Sequence, residues 1–276
     1  MSLAVQPLAE RTGSSMGIMG GKRGIVTGVL NDRSYAWFIA KQILEAGGEC
    51  IYTFLPDEKG KMERRVRGAI KELGDEDPWL TPCNVSQDED FNTVFNKIAS
   101  DFGSIDFIVH AIAFADRQFL RPGKFHQTTR QAWNQALEIS AYSLLAMGQR
   151  APDVMPDGGS IISMSYYGGE KVVPGYNVMG VAKAALEHTT RYLAFELGDK
   201  NIRVNTISGG PLRTLAASAV GGIAEMFENQ ENKSSLRRNI KGEEAGKTAA
   251  YLLSDLASGV TGETIHVDAG YSIVGV

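Results

Sequence analysis

The feature that most constrains the fold is a regular alternation of short apolar segments with longer amphipathic segments. The apolar segments cover residues 22–28, 49–55, 80–85, 105–113, 160–165, 203–207 and 264–267. The amphipathic segments predict helices over residues 34–46, 58–73, 87–102, 129–154 and 243–253, together with a helix that opens at Pro174. Strands that alternate with helices of ten or more residues are typical of a parallel sheet. The sequence therefore predicts one α/β domain, a Rossmann-like doubly wound parallel sheet of about seven strands with helices on both faces.

Composition and charge exclude several classes of function. The net charge of -4 gives no sign of a nucleic-acid-binding surface. No apolar run approaches the ~20 residues that span a bilayer, and residues 1–18 lack the long apolar core of a secretory signal. We therefore expect a cytoplasmic protein with no membrane partner. Residues 1–18 are interpreted as an N-terminal extension and residues 19–276 as the folded domain.

Cysteine and histidine usage gives no sign of a metal site. Cys50 and Cys83 each lie in a strand-like apolar segment, where a buried free thiol is the expected state. The histidines are scattered, and the sequence contains no CxxC motif. We therefore expect no bound metal.

The first strand, loop and helix are the expected place for the phosphates of a dinucleotide, because ligands of such sheets lie at the carboxyl ends of the strands. The usual GxGxxG pattern is missing, since Gly28 is followed by VLNDRS. Gly28 still permits a tight turn, and Ser34 can offer a hydroxyl and an N–H to phosphate at the start of the helix. An ordinary capped helix explains the same residues equally well.

The end of the second strand bears on cofactor preference. Leu55 ends that strand and no arginine lies beside it, which favours NADH over NADPH. Lys59 and Lys61 follow closely, so NADPH remains an alternative cofactor. Asn84, at the end of the third strand, is either an adenine contact or a turn residue.

Two tyrosine–lysine pairs in the segment 163–187 compete for the chemistry. Tyr176 and Lys183 are seven residues apart, so a helix that opens at Pro174 would place both on one face. Tyr167 and Lys171 have the Tyr-x3-Lys spacing of carbonyl-reducing short-chain dehydrogenases, but two glycines separate them and the segment is predicted to be a loop. The sequence therefore favours Tyr176 and Lys183.

The wider spacing also bears on the reaction. Carbonyl reduction delivers a proton to oxygen, so a lysine close to the phenol is useful because it lowers the pKa of the phenol. Reduction of a conjugated carbon–carbon double bond sends hydride to the β-carbon, and the carbonyl oxygen needs only a hydrogen bond as an enolate forms. The wider spacing of Tyr176 and Lys183 suits the reduction of a conjugated carbon–carbon double bond.

The segment Tyr166-x9-Tyr176-x6-Lys183 resembles the two-tyrosine-and-lysine motif of enoyl-[acyl-carrier-protein] reductases, the divergent short-chain dehydrogenases of bacterial type II fatty acid synthesis. The resemblance runs from about Met19 to the C-terminus. It includes VTGV with Ser34, HAIAFA at 110–115, SAYS at 140–143, RVNTISGGPLRTLAAS at 203–218 and TGETIHVDAGYSI near the end. It implies an NADH-dependent oxidoreductase that reduces trans-2-enoyl-acyl-carrier-protein in the last step of the fatty acid elongation cycle. It also implies a homotetramer and an acyl carrier protein as partner.

The resemblance further implies roles for individual residues. The dinucleotide would contact Gly28, Ser34, Tyr35, Val85, Ile112, Lys183, Leu212 and Thr214. Tyr176 would bind the thioester carbonyl and stabilise the enolate, Tyr166 would line the acyl site, and Ala115 would lie against the substrate. Leu55 and Asn84 depart from the glutamine and aspartate that often face adenine, which puts cofactor preference in question. Residues 214–230 would form a substrate lid.

Two other functions remain open at this point. A ketone or alcohol dehydrogenase of the same superfamily, acting on a substrate such as a 3-ketoacyl thioester, would use Tyr167 and Lys171 with a serine. A nucleotide-binding regulator would keep the fold without the chemistry. Lys233, Arg237, Arg238 and Lys241 form a basic stretch that suits an acidic carrier protein or is simply a solvated face.

Overall fold

The computed structural model describes residues 17–214 and 220–275. Its centre is a sheet of seven strands in the order β3-β2-β1-β4-β5-β6-β7, and every neighbouring pair is parallel. The strands are β1 (Arg23–Thr27), β2 (Glu49–Phe54), β3 (Leu80–Pro82), β4 (Phe107–His110), β5 (Gly159–Ser165), β6 (Ile202–Gly209) and β7 (Thr264–Val267). The predicted fold class, a doubly wound parallel sheet, is confirmed.

Helices cover both faces of this sheet. They are α1 (Tyr35–Glu45), α2 (Lys61–Lys71), α3 (Asp88–Phe102), α4 (Arg130–Leu137), α5 (Ser143–Val154), α6 (Val178–Glu196), α7 (Ile223–Lys233) and α8 (Gly242–Leu253). Successive strand residues point to opposite faces, so Ile25 packs in the core beneath α3, α5 and α6 while Val26 packs beneath α1, α2 and α8. Both cysteines are buried free thiols, as expected.

The predicted long helix over residues 129–154 is interrupted by a wider turn. α4 and α5 are joined by a π-helical turn, Glu138–Tyr142. The hydroxyl of Ser140 in this turn accepts from the Phe114 N–H (3.0 Å) and donates to the Phe114 carbonyl (3.1 Å). The turn therefore fixes the loop that follows β4, which reaches the carboxyl edge of the sheet.

The prediction that a helix opens at Pro174 is wrong. α6 begins at Val178, and Tyr176 lies in the preceding turn. Asn177 has a positive φ of 49°, which is incompatible with helical backbone at that position. Its side chain donates to the carbonyls of Phe119 (2.6 Å) and Arg121 (2.7 Å), so contacts with a distant loop determine where the helix starts.

The predicted lid over residues 214–230 lies in part outside the described residues, which omit 215–219. Its later part forms α7. The Gly221 N–H donates to the Leu120 carbonyl (2.7 Å), so the start of this segment rests on the loop after β4. Of the predicted N-terminal extension, only residues 17 and 18 are described, and Met19 beyond them is buried in the core. None of the described helices is long and apolar enough to cross a bilayer.

A substitution at the end of β1 tests the requirement for close backbone approach there. Gly28 has a φ of +90°, and a Cβ at this position would collide with the Ala111 carbonyl. Gly28→Ala should lower the free energy of unfolding by more than ~1 kcal/mol in urea denaturation. Gly68→Ala is the matched control, because Gly68 lies inside α2 with no atom within 4 Å of the added Cβ. It should raise stability by roughly 0.5–1 kcal/mol, and equal stabilities for the two variants would contradict this account.

Candidate active site

A cavity of about 780 Å³ lies at the carboxyl edge of the sheet, where the ends of β1, β2, β4, β5 and β6 meet. Every residue predicted for the site lines it. These residues are Gly28, Ser34, Tyr35, Leu55, Asn84, Val85, Ile112, Ala115, Tyr166, Tyr176, Lys183, Leu212 and Thr214. The structure therefore brings together positions that are up to 186 residues apart in the sequence.

The loop between β1 and α1 leaves a helix N-terminus open to the cavity. The Ser34 hydroxyl donates to the Asn31 carbonyl (2.7 Å) and makes no capping bond to α1. Ser34 therefore stabilises the loop before α1, whereas the sequence predicted that its side chain caps the helix. The first turn of α1 carries no acidic residue. Unpaired amide groups and a positive helix end suit the phosphates of a dinucleotide.

Tyr35 connects the two walls of the cofactor end. Its hydroxyl donates to the Gly210 carbonyl, and a Cβ on Gly209 would lie 2.5 Å from the Tyr35 hydroxyl oxygen. Glycine at 209 therefore makes room for the tyrosine ring. The chain beyond Gly210 leads to Leu212 and Thr214, so Tyr35 fixes the start of a segment that lines the cavity. Sequence reasoning missed Gly209 and Gly210, because no local pattern reveals a contact 175 residues away.

At the opposite end of the cavity, none of the described lining residues is a lysine or an arginine. Leu55 is 53% exposed there, and Asn84 shapes its own turn by accepting from the Ser86 N–H (3.1 Å). Asp57 accepts from the N–H groups of Lys61 and Met62 at the start of α2, and these bonds hold the pKa of its carboxyl below its usual value. Arg117 and Lys183 are the charged residues of the lining within residues 17–214 and 220–275, and Arg117 lies on the loop after β4.

Tyr176 and Tyr166 form the centre of the site. Their rings meet edge to face with centroids 4.9 Å apart. Burial, with Tyr166 beside it, raises the pKa of Tyr176 above its ordinary value. The phenol therefore stays protonated at neutral pH and can donate a hydrogen bond. Sequence reasoning placed Tyr176 on a helix, but a turn next to α6 presents it.

Lys183 is a buried cation on α6. Its side chain is 5% exposed, and Nζ donates to the Met164 carbonyl (2.6 Å) at the end of β5. Burial lowers the pKa of Lys183 to about 8, against the opposing effect of Glu187. Glu187 lies one turn further along α6 and accepts a hydrogen bond from the Ser165 hydroxyl. No pattern in the sequence singles out Glu187, because its position in a helical segment is also typical of a solvated residue.

The competing pair does not line the cavity. Tyr167 lies in a single 3-10 turn, and its ring packs against Tyr271 (centroids 5.7 Å apart). Neither Tyr167 nor Lys171 is among the lining residues. Ser163 is fully buried and bonds to the Thr206 hydroxyl (2.8 Å), so it does not reach the site either. The loop predicted around Tyr167 and Lys171 thus contains a short turn, and neither residue reaches the cavity.

The end of the cavity beside Tyr176 is apolar. Side chains from four separate segments pack together there: Ala115, Leu120, Ala136, Val178, Met179, Ala182 and Val220, with Tyr176 and Met226 against them. Such a lining suits a hydrocarbon chain. For this end the sequence predicted Ala115, the tyrosines and, within the lid over residues 214–230, Val220 and Met226, whereas the other residues read as ordinary core positions.

Comparison with known proteins agrees with the geometry. The sequence profile of the family described as Enoyl-(Acyl carrier protein) reductase matches residues 28–272. The chain belongs to this family. It is 51% identical over 257 residues to Enoyl-[acyl-carrier-protein] reductase [NADH] FabI of Nostoc sp., covering 93% of this chain and 98% of the relative. It is 48% identical to Enoyl-[acyl-carrier-protein] reductase [NADH] 1 of Rhizobium meliloti, covering 94% and 93%.

Solved structures of the enoyl-(acyl carrier protein) reductase family superpose closely on this chain. The enzyme from Anaplasma phagocytophilum in complex with NAD has a TM-score of 0.89 at 44% identity, covering 95% of this chain and 98% of that one. The Bacillus cereus enzyme with NADP+ and indole naphthyridinone also has a TM-score of 0.89 at 44% identity, covering 95% and 100%.

The pKa of Lys183 predicts the pH dependence of cofactor capture. The ammonium is charged below a pH of about 8 and neutral above it. If the charged form holds the predicted cofactor, kcat/KM for NADH should be level near pH 7 and fall as pH rises through 8. Lys183→Arg keeps its charge to much higher pH and should remove the fall. A profile that is flat from pH 6 to 10 in the parent enzyme would contradict the role of Lys183.

Proposed function

We propose that this chain reduces the carbon–carbon double bond of trans-2-enoyl-acyl-carrier-protein with NADH, the last step of the fatty acid elongation cycle. One observation carries the proposal: a protonated, half-buried Tyr176 and a buried Lys183 line one cavity, which runs from the open N-terminus of α1 to an apolar end. Membership of the enoyl-(acyl carrier protein) reductase family and the names of the relatives support the same reaction over carbonyl reduction.

The residues present fit a dinucleotide. The glycine at the end of β1 allows the backbone to pass close to a phosphate, and the open N-terminus of α1 offers amide groups. Tyr35, Val85, Ile112, Leu212 and Thr214 would complete the walls. Lys183 would hold the ribose next to the reacting ring. When bound, the reduced nicotinamide supplies the hydride that goes to the β-carbon of the substrate.

Tyr176 would stabilise the charge that develops on the substrate. Its phenol O–H would donate a hydrogen bond to the thioester carbonyl oxygen, and this bond strengthens as negative charge builds up in the enolate. The high pKa of the phenol keeps the proton on Tyr176 in the ground state. Tyr166 packs edge-on against the ring and holds it in place, and Ala115 lies in the apolar pocket that would receive the acyl chain.

The charges around the cavity support NADH as the preferred cofactor. NADPH carries a 2′-phosphate that needs cations at the adenosine end. Leu55 and Asn84 line that end, and the charged lining residues, Arg117 and Lys183, belong to the other parts of the cavity. The relatives named above are described with NADH, although the Bacillus cereus structure contains NADP+.

Assembly, location and lid complete the proposal. A homotetramer is supported by the exposed aromatic residues on α6, Tyr192 (62%) and Phe195 (86%), which a subunit contact would cover. Light scattering should give four times the monomer mass, and a monomer would contradict this.

We expect the enzyme in the cytoplasm with its carrier protein. We also retain residues 214–230 as a substrate lid, supported by Val220, Ile223 and Met226 in the cavity wall.

Substitution of the two tyrosines distinguishes the proposed reaction from carbonyl reduction. Tyr176→Phe should lower kcat on a trans-2-enoyl thioester by roughly 10²-fold, because one donor to the developing oxyanion is lost. Tyr167→Phe is the matched control and should leave kcat nearly unchanged, since Tyr167 does not reach the cavity. Activity on a 3-ketoacyl thioester that Tyr167→Phe abolishes and Tyr176→Phe preserves would establish the alternative dehydrogenase.

Substitution of Leu55 tests the basis of cofactor preference. The parent enzyme should have a lower KM for NADH than for NADPH in side-by-side assays. Leu55→Arg should improve kcat/KM for NADPH about tenfold or more, because a charge-assisted hydrogen bond to the 2′-phosphate becomes possible. Leu55→Met is the control for size and should change neither value. A parent enzyme that prefers NADPH would show that cations beyond the cavity wall decide the preference.

A further inference from the structure

The loop after β4 forms an exposed basic surface. Arg117, Arg121 and Lys124 are all exposed, and the sequence has no aspartate or glutamate from residue 117 to residue 130. Within residues 17–214 and 220–275, no carboxylate forms a salt bridge with any of the three. We call residues 117–124 the basic loop. Its charges are therefore available to a partner.

The basic loop is fixed at the rim of the cavity beside the reacting phenol. Arg117 lines the cavity itself. The carbonyls of Phe119 and Arg121 accept the side-chain amide of Asn177, the residue that follows Tyr176. A protein bound to this loop would therefore lie close to the entrance that leads to Tyr176.

α7, which lines the cavity through Ile223 and Met226, carries several residues of the opposite charge. α7 begins next to the basic loop, where Gly221 bonds to Leu120, and carries the exposed acids Glu225, Glu228 and Glu231. A negatively charged partner would be attracted to the basic loop and repelled by α7. This asymmetry sets a direction of approach.

The basic stretch singled out in the sequence, residues 233–241, is less available. Arg238 forms two bonds to the Glu244 carboxylate (2.8 and 2.7 Å), and Arg237 donates to the Asn232 carbonyl. Lys233, Arg237 and Lys241 remain as its exposed charges without a salt bridge in the described chain. Both stretches thus carry three such cations, but only the basic loop lines the cavity and bonds to the residue that follows Tyr176.

We propose that the acidic carrier protein docks on the basic loop, with Arg121 and Lys124 as its main contacts, and delivers its thioester past Arg117 toward Tyr176. The inference rests on the proposed function, which supplies the carrier-bound substrate. Attraction between exposed charges accelerates encounter and is screened by salt. The turnover of carrier-bound substrate should therefore fall with ionic strength, whereas that of an uncharged thioester should not.

A double charge reversal tests the docking surface. Arg121→Glu/Lys124→Glu should lower kcat/KM for an enoyl thioester on acyl carrier protein about tenfold or more at low salt. The same variant should retain the parent kcat/KM for the enoyl thioester of N-acetylcysteamine, which carries no charge. It should also retain the parent KM for NADH.

The matched control has the same change in net charge on the other surface. Lys233→Glu/Lys241→Glu should leave kcat/KM for the carrier-bound substrate within about twofold of the parent value. If this variant loses activity and Arg121→Glu/Lys124→Glu does not, or if both retain full activity, the basic loop is not the docking surface.

A binding measurement separates this inference from the proposed function. Fluorescence anisotropy of a labelled acyl carrier protein detects docking without turnover. Failure of the parent enzyme to reduce any enoyl thioester would contradict the proposed function alone. Carrier protein that binds the parent and Arg121→Glu/Lys124→Glu with equal affinity would overturn the docking inference alone.

Discussion

Parallel pairing of all seven strands is the constraint on which the site depends. It brings the carboxyl ends of the strands to one edge, so loops that are far apart in sequence must meet there. Ser165 at the end of β5 pairs with Ser208 in β6, which places Tyr166 level with Gly209. The cavity therefore follows from the topology, and each loop only has to supply the right side chain.

The sheet and its edge could be predicted from sequence because their signals are local. The last strand, Thr264–Val267, was predicted with its observed bounds, and the other strands differ at their ends by a few residues. The family and its reaction were also predicted, because the motif of Tyr166, Tyr176 and Lys183 is specific when it is combined with the other matching segments of the chain. The start of α6 was wrong because Pro174 favours a helix start locally, whereas Asn177 is held by two carbonyls more than fifty residues away.

The electrostatics of the site could not be read from residue types. The pKa of Tyr176 is raised and that of Lys183 is lowered to about 8, and both shifts result mainly from burial, which only the assembled fold decides. The same holds for the fit of Tyr35 against Gly209 and for the neutralisation of Arg238 by Glu244. The sequence analysis singled out residues 233–241 and not the basic loop, because only the structure shows that the basic loop borders the entrance beside Tyr176.

The central claim is that hydride reaches the β-carbon of an enoyl thioester while Tyr176 holds the carbonyl oxygen. The most direct measurement uses NADH deuterated at both C4 positions and a trans-2-enoyl thioester, with the product analysed by NMR. The account predicts one deuterium at C3 of the saturated acyl chain and a solvent-derived proton at C2. Deuterium at C2, or transfer of deuterium only to a 3-ketoacyl thioester to give the 3-hydroxy product, would contradict it.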